Sequence, residues 1–274
     1  MSGGHVTTHD SGPEFNVTVP NAARIYDHFL GGKDNYQADR DAAARLLEVL
    51  PDSARACRAN RDFLQRAVRY LAAAGIRQFI DIGSGLPTAG NVHQVARDAA
   101  PDAKVAYTDY DPIVLAHARA LLGDSPAATV IDGDLRKPGD ILAHPDLRDL
   151  IDFTQPAAVL LVAVAHFLTD DEDPRDTIAE LTAPLVPGSY LALSHVTADH
   201  VTASAATTAT DVYAAASAPV TARTLAEVTR LFDGLTLVEP GVTDVSAWRT
   251  EIPPARPRSK TAPTYIYGGI AVKQ

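Results

Sequence analysis

Between residues 77 and 195 the chain repeats one pattern: a short apolar run, a loop, then a stretch suited to helix. The runs at 77–82, 104–108, 128–131, 158–165 and 189–195 are each of strand length. Helical stretches at 91–99 and 112–122 follow the first two. Such alternation specifies an open α/β sheet whose parallel strands are joined by right-handed crossovers. The run 158–165 is almost continuously apolar, as suits a strand covered on both faces. Two later runs, 235–239 and 264–272, have no helix between them long enough for a crossover. An antiparallel pair is therefore expected at the end of a mostly parallel sheet. The segment 253–258, rich in Pro and Arg, is read as a loop between those two strands.

Ahead of the sheet lies a different kind of sequence. Residues 1–18 mix Gly, Ser, Thr and His without periodicity and are expected to be a disordered tail. Asn21 can cap a helix over 22–30, which Gly31-Gly32 would end by supplying left-handed geometry. A second helix, 37–49, stops before Pro51. Ser53 opens a third, with Phe63, Leu64, Ala67, Val68 and Leu71 at a 3.6 period and Gly75 at its end. The expected division is a tail (1–18), a helical lid or cap (19–75) and an α/β domain (76–274).

Of the 274 residues, 34 are acidic and 24 basic, a formal net charge of −10. That field disfavours nucleic acid and anionic membranes as partners. The single cysteine, Cys57, can form neither an internal disulfide nor a thiolate cluster. Together with the lack of a secretory leader it suggests a cytoplasmic protein. The longest apolar stretch, 157–168, is too short to span a bilayer. The one HxxxH pair, His5 and His9, lies in the tail, and no metal site is expected.

Ligands of open α/β sheets bind at the carboxyl ends of the strands. The loop after the first strand is Asp81-Ile-Gly83-Ser84-Gly85-Leu-Pro87-Thr88. Its two glycines allow a tight turn and a close ligand approach. Thr88 stands where a dinucleotide fingerprint has its third glycine, and Asp81 would repel pyrophosphate. A ligand with an ammonium group and no phosphate suits it better. Asp109 ends the second strand, at the spacing of an acid that binds both hydroxyls of a ribose. Asp111-Pro112 suits a cap and the first turn of the next helix. Asp134 follows the third strand, where it can accept an adenine amine while the Leu135 amide donates to the ring. Each acid alone is equally a solvated loop residue; three after three successive strands form a pattern.

Asp81-x-Gly83-x-Gly85, Asp109 and Asp134 resemble the class I S-adenosylmethionine-dependent methyltransferases, with their Rossmann-like sheet and antiparallel last strand. More narrowly, the chain resembles an actinobacterial methyltransferase family, that of domain of unknown function 574. The segments 20–26, 30–35, 38–40, 58–61, 81–88, 90–93, 134–136 and 187–190 carry this likeness, with His166-Phe167. It implies S-adenosylmethionine as cofactor, with Gly83, Ser84 and Gly85 on its methionyl part. Asp109 would hold the ribose, and Asp134 and Leu135 the adenine. Ala163 to His166 would line the sulfonium side.

Methyl transfer from a sulfonium is an in-line displacement that demands positioning more than a particular side chain. If a base is used, His166 at the end of the fourth strand is the first candidate and His195 at the end of the fifth the second. Both are equally read as packed strand-end residues. Arg24, Tyr26, Lys33, Asn35 and Tyr36 flank the Gly-Gly pair and are expected to fold over the cofactor as one wall of the substrate pocket. A plain stabilising appendage is the competing reading. Asn60 and Arg61 on the third helix could face the pocket, which amphipathic phase alone does not show. The function expected is methyl transfer to a small molecule, as in secondary metabolism; the alternative is a silent cofactor-binding sensor or scaffold. A nicotinamide-dependent oxidoreductase fits poorly. Oligomeric state is not legible.

Overall fold

The computed structural model describes residues 16–88, 90–123, 125–216, 218–253 and 263–274. Most of the expected tail, the His5/His9 pair and residues 254–258 lie outside them. Three helices come first: α1 (Ala22–Leu30), α2 (Gln37–Val49) and α3 (Ser53–Ala73). Then follow β1 (Gln78–Ile82), α4 (Val92–Ala99), β2 (Lys104–Asp109), α5 (Pro112–Leu122) and β3 (Ala128–Asp132). Two short helices, α6 (Pro138–Ala143) and α7 (Pro145–Leu150), lead to β4 (Ala158–Val162). The chain ends with α8 (Pro174–Thr182), β5 (Tyr190–Val196), α9 (Ala203–Ala214), α10 (Leu225–Arg230), β6 (Thr236–Leu237), β7 (Thr243–Asp244) and β8 (Ile266–Val272).

The strands form one sheet in the order β3-β2-β1-β4-β5-β8-β6, with β7 also paired to β8. β1 to β5 run parallel and β8 runs antiparallel to β5, giving the Rossmann-like arrangement expected. Strand order reverses between β1 and β4, which places a ligand crevice at the carboxyl ends of those strands.

Alternation along the strands sends side chains into two apolar layers. Phe79, Val105, Leu160 and Ala192 pack under α3 and α4, whereas Ile80, Ile131, Leu161 and Leu193 pack under α6, α7, α8 and α10. The periodic residues of α3 (Phe63, Leu64, Ala67, Val68 and Leu71) belong to the first layer. The expected boundary at residue 75 therefore needs correction: α3 is a core helix of the sheet, and a cut there would bisect one hydrophobic layer.

What covers the crevice is smaller and has two sources. Ile25 and Phe29 of α1, and Ala42, Ala43 and Leu46 of α2, form a separate cluster with Val212 of α9. A buried ion pair, Arg24 Nε to Asp39 Oδ2 at 2.9 Å, braces α1 against α2. Asp39 also accepts from the backbone N–H groups of Asn21 and Tyr36 at 2.9 and 2.8 Å. The carboxylate is thus fully partnered, which a buried charge requires.

Candidate active site

A cavity of about 190 Å³ opens at the strand ends, beneath α1 and α9. At about 15 Å³ per water on this measure, it has room for roughly a dozen waters. All nine residues expected at the cofactor line it: Asp81, Gly83, Ser84, Gly85, Asp109, Asp134, Leu135, Ala163 and His166.

The glycine loop is shaped by what surrounds it. Gly83 has φ +69°, and a Cβ there would sit 2.3 Å from Cγ2 of Val164. Its N–H donates to the Thr108 carbonyl at 2.8 Å, clamping the loop to β2. Gly85, also in the left-handed region, donates its N–H to Asp109 Oδ2 at 2.9 Å. The other Asp109 oxygen accepts from the Asp111 N–H at 3.0 Å. Burial raises the Asp109 carboxyl to about 6. Asp111 caps α5, as expected, accepting from Ile113 N–H at 2.7 Å, and its second oxygen accepts from Asn21 Nδ2. The cap of α1 is thus tied to the cap of α5.

Asp81 is 5% exposed. Burial pushes its carboxyl up to about 7; the Arg61 guanidinium lowers it and Asp109 raises it. Arg61 reaches the same wall from α3. It donates from Nη2 to Asn91 Oδ1 at 3.0 Å, while its buried Nε has no partner. Thr88 Oγ1 and His166 Nδ1, on the same cavity wall, are likewise buried and unpartnered. Asp134 is engaged: Arg136 holds it bidentately at 2.7–2.9 Å and lies over the Tyr110 ring, 5.7 Å from its centroid. An amine reaching Asp134 shares the carboxylate with that guanidinium.

The fourth strand ends earlier than its apolar run. Ala163 has φ +59°, outside the range most side chains favour, and a 3₁₀ turn follows at Ala165–Phe167. Two acceptors hold that N–H: the Ser194 carbonyl at 3.2 Å and Ser194 Oγ at 3.0 Å. Ser194 Oγ in turn donates to Asn60 Oδ1 at 2.6 Å, and Asn60 Nδ2 donates to Tyr26 Oη at 3.0 Å. Tyr26 closes the series by donating to the Cys57 carbonyl at 3.0 Å. One hydrogen-bonded line therefore runs from cap helix to strand end.

The two histidines part company. His166 lines the cavity, whereas His195 is fully buried behind it and both of its nitrogens are occupied. Its Nδ1 donates to the Val196 carbonyl at 2.8 Å, so Nε2 accepts from Arg223 Nη1 at 2.9 Å. A ring with its lone pair committed to a guanidinium cannot take a proton from substrate, so His195 is corrected to a structural residue. Of the five cap residues, only Tyr26 reaches the cavity wall. Arg24 is consumed by Asp39, Lys33 is exposed, and Tyr36 stands outside under the Arg24 guanidinium. Asn35 Nδ2 instead holds Asp27 Oδ2 at 2.9 Å, and Asp27 lines the cavity. Asp27, Tyr110, Arg136 and Tyr213 on the wall were not singled out in the sequence. Among the described residues no group of three His, Cys, Asp or Glu is placed to hold a metal, and no helix is long and apolar enough to cross a membrane.

These groups fit S-adenosylmethionine. An uncompensated carboxylate (Asp81) and a cation with a free donor (Arg61 Nε) suit its ammonium and carboxylate. Buried Asp109 suits its ribose, and Tyr110 beside Leu135 its adenine. The family model described as S-adenosyl methyltransferase matches residues 8–274. A candidate methyltransferase of Thermobifida fusca is 39% identical, with a TM-score of 0.88, over 97% of this chain and 100% of its own. A DUF574 family protein of Streptomyces avermitilis is 38% identical, with a TM-score of 0.85, over 94% and 100%. The plantazolicin methyltransferase BamL, solved with a desmethylPZN analogue and S-adenosylhomocysteine, shares the fold at 12% identity and a TM-score of 0.53, over 92% and 96%. No curated protein matches. The chain belongs to the S-adenosylmethionine-dependent methyltransferases.

Proposed function

We propose that this chain methylates a small molecule held beneath the cap, next to the cofactor. The observation that carries the reading is the cavity itself: about 190 Å³, floored by the strand ends and roofed by α1 and α9. A partly roofed space of that size suits a small acceptor better than a polymer. The net charge of −10 works against nucleic acid in the same direction.

Bound S-adenosylmethionine supplies a methyl group activated by its sulfonium. Asp81 pairs with the ammonium and Arg61 with the carboxylate. Asp109 accepts from the ribose hydroxyls while the Gly85 and Asp111 N–H groups fix its rotamer. Asp134 and the Leu135 amide read the adenine edge. At the transfer end, Ala163 turns the chain so that Val164 and His166 face the cavity. Burial, then His195 and Arg223, hold His166 well below the usual histidine range. The neutral ring orients an acceptor O–H or N–H for in-line attack without adding charge beside the sulfonium. Alignment of this kind supplies on the order of 7–11 kcal/mol toward the barrier. Tyr26 roofs the same space.

Incubating the protein with S-adenosylmethionine and size-fractionated cell extract tests this. Release of S-adenosylhomocysteine is expected with the small-molecule fraction, and release only with protein or RNA fractions would refute it. Asp109→Ala is expected to abolish measurable cofactor binding, and unchanged affinity would remove the ribose assignment.

A further inference from the structure

Beyond the sulfonium side the cavity changes character. Tyr26, Phe167 and Tyr213 gather there from α1, the 3₁₀ turn after β4 and α9, three elements far apart in sequence. The Phe167 ring lies 4.5 Å from that of His166 and 6.3 Å from that of Tyr213, both tilted. Burial raises the proton affinity of both tyrosines, and nearby Cys57 adds to it at each, with Tyr26 adding further at Tyr213. The spacings are those of interlocking aromatic rings, which favour a further flat ring in stacked or edge contact.

The polar groups of this end are few and uncharged. Tyr26 Oη is taken by Asn60 and Cys57. The Tyr213 hydroxyl has no hydrogen-bond partner among the described residues, and His166 Nδ1 has none either. Burial raises the Cys57 thiol to about 12, so it too is neutral. The charged side chains of the wall are engaged elsewhere. Asp81, Asp109, Asp134, Arg61 and Arg136 are assigned to the cofactor, Asp111 caps α5, and Asp27 is held on α1 by Asp34 N–H and Asn35 Nδ2. Of these, Arg61 is near enough to lower the proton affinity that burial raises at the Tyr26 hydroxyl.

We propose that the Tyr26–Phe167–Tyr213 chamber is the acceptor subsite and that its ligand is an uncharged aromatic or heteroaromatic molecule. The ligand carries its nucleophilic O–H or N–H toward His166 and a second hydrogen-bonding group toward the Tyr213 hydroxyl. The inference rests on the reading that acceptor and cofactor share this cavity, and it adds the acceptor's chemistry. An anion would lose its hydration here with Arg61 already committed to the cofactor's carboxylate, and an ammonium would face the sulfonium with Asp27 already hydrogen-bonded to Asp34 N–H and Asn35 Nδ2. Methylation moves the methyl carbon from sulfur to the acceptor atom; the sulfur keeps the bonding pair, and the acceptor's proton leaves to solvent.

Three naphthalene probes of similar size separate the possibilities: 2-naphthol, 2-naphthoate and 2-(aminomethyl)naphthalene. Each is titrated calorimetrically into the full chain saturated with S-adenosylhomocysteine, whose own dissociation constant is measured first. Failure at that first step would reject the cofactor placement and would be seen before any probe is added. The expected result is that 2-naphthol binds at least about tenfold more tightly than either charged probe. Tyr213→Phe should weaken 2-naphthol about three- to tenfold, the effect of one neutral hydrogen bond. Phe167→Leu provides a second test of the ring contact should Tyr213→Phe lose S-adenosylhomocysteine binding. Equal or tighter binding of a charged probe, no binding of 2-naphthol, or unchanged affinity in the variants would overturn the proposal.

Discussion

Replacing Asp81 by Asn separates what this carboxylate does for the ligand from what it does to the fold. The ordinary carboxyl value of 3.8 rises to about 7 in the folded chain, first through burial. For an acid whose folded value lies above its unfolded one, the folded state binds more protons between about pH 4 and pH 7. Stability therefore falls as pH rises through that window and levels off above it. At about 1.4 kcal/mol per unit, the ionised carboxylate costs the ligand-free fold about 4 kcal/mol above pH 7, against about 2 at pH 5. Asp81→Asn keeps the shape and removes this dependence. The ligand-free variant should gain on the wild type by about 2–3 kcal/mol between pH 5 and pH 8. Urea unfolding at pH 5, 6, 7 and 8 measures it. With S-adenosylmethionine the variant's advantage at pH 8 shrinks by about 1.5–3 kcal/mol, because the variant lacks a charge-assisted bond to the ammonium. Parallel pH curves for the two proteins without ligand would refute this account of Asp81.

Gly83→Ala forces a side chain into left-handed backbone and onto Val164, 2.3 Å away. It should cost about 2–4 kcal/mol in urea unfolding, and a wild-type midpoint would show that the loop can move aside. Asn60→Leu leaves the buried Ser194 Oγ without its acceptor and the half-buried Tyr26 Oη without its donor. A loss of about 1–3 kcal/mol is expected, accompanied by faster amide exchange at Ala163; a loss under about 0.5 would mean that the line of hydrogen bonds is not coupled.

The clustering of the residues expected at the cofactor was legible because they are local to strand ends. Asp81, Gly83, Gly85, Asp109 and Asp134 all lie at or just past the carboxyl end of a strand, so finding the strands placed them on one cavity wall. Partners distant in sequence were not legible. His195 matched His166 in position, and what separates them is Arg223, twenty-eight residues further on. The stripe of α3 was visible, but nothing in it said that its partner was the sheet and not the cap. Helices α6, α7 and α10 have six residues each, too few to show a period. In the Thr-rich stretch 196–218 the helix is confined to Ala203–Ala214. There Thr207, Thr208 and Thr210 donate back to the carbonyls four residues earlier, which satisfies their hydroxyls within the helix.

The roof over the cavity joins α1 and α2 from the start of the chain to α9, an insertion between the last two long strands. No strand pairing runs through α9, and none of the acids at the ends of β1, β2 and β3 depends on it. Substitutions at Val212, Tyr213 or their neighbours can therefore reshape the Tyr26–Phe167–Tyr213 chamber while the glycine loop and the strand-end acids stay intact. In a lineage of duplicated copies, the two halves are free to diverge at different speeds. The acceptor range would drift through α9, and the methyl source would stay fixed.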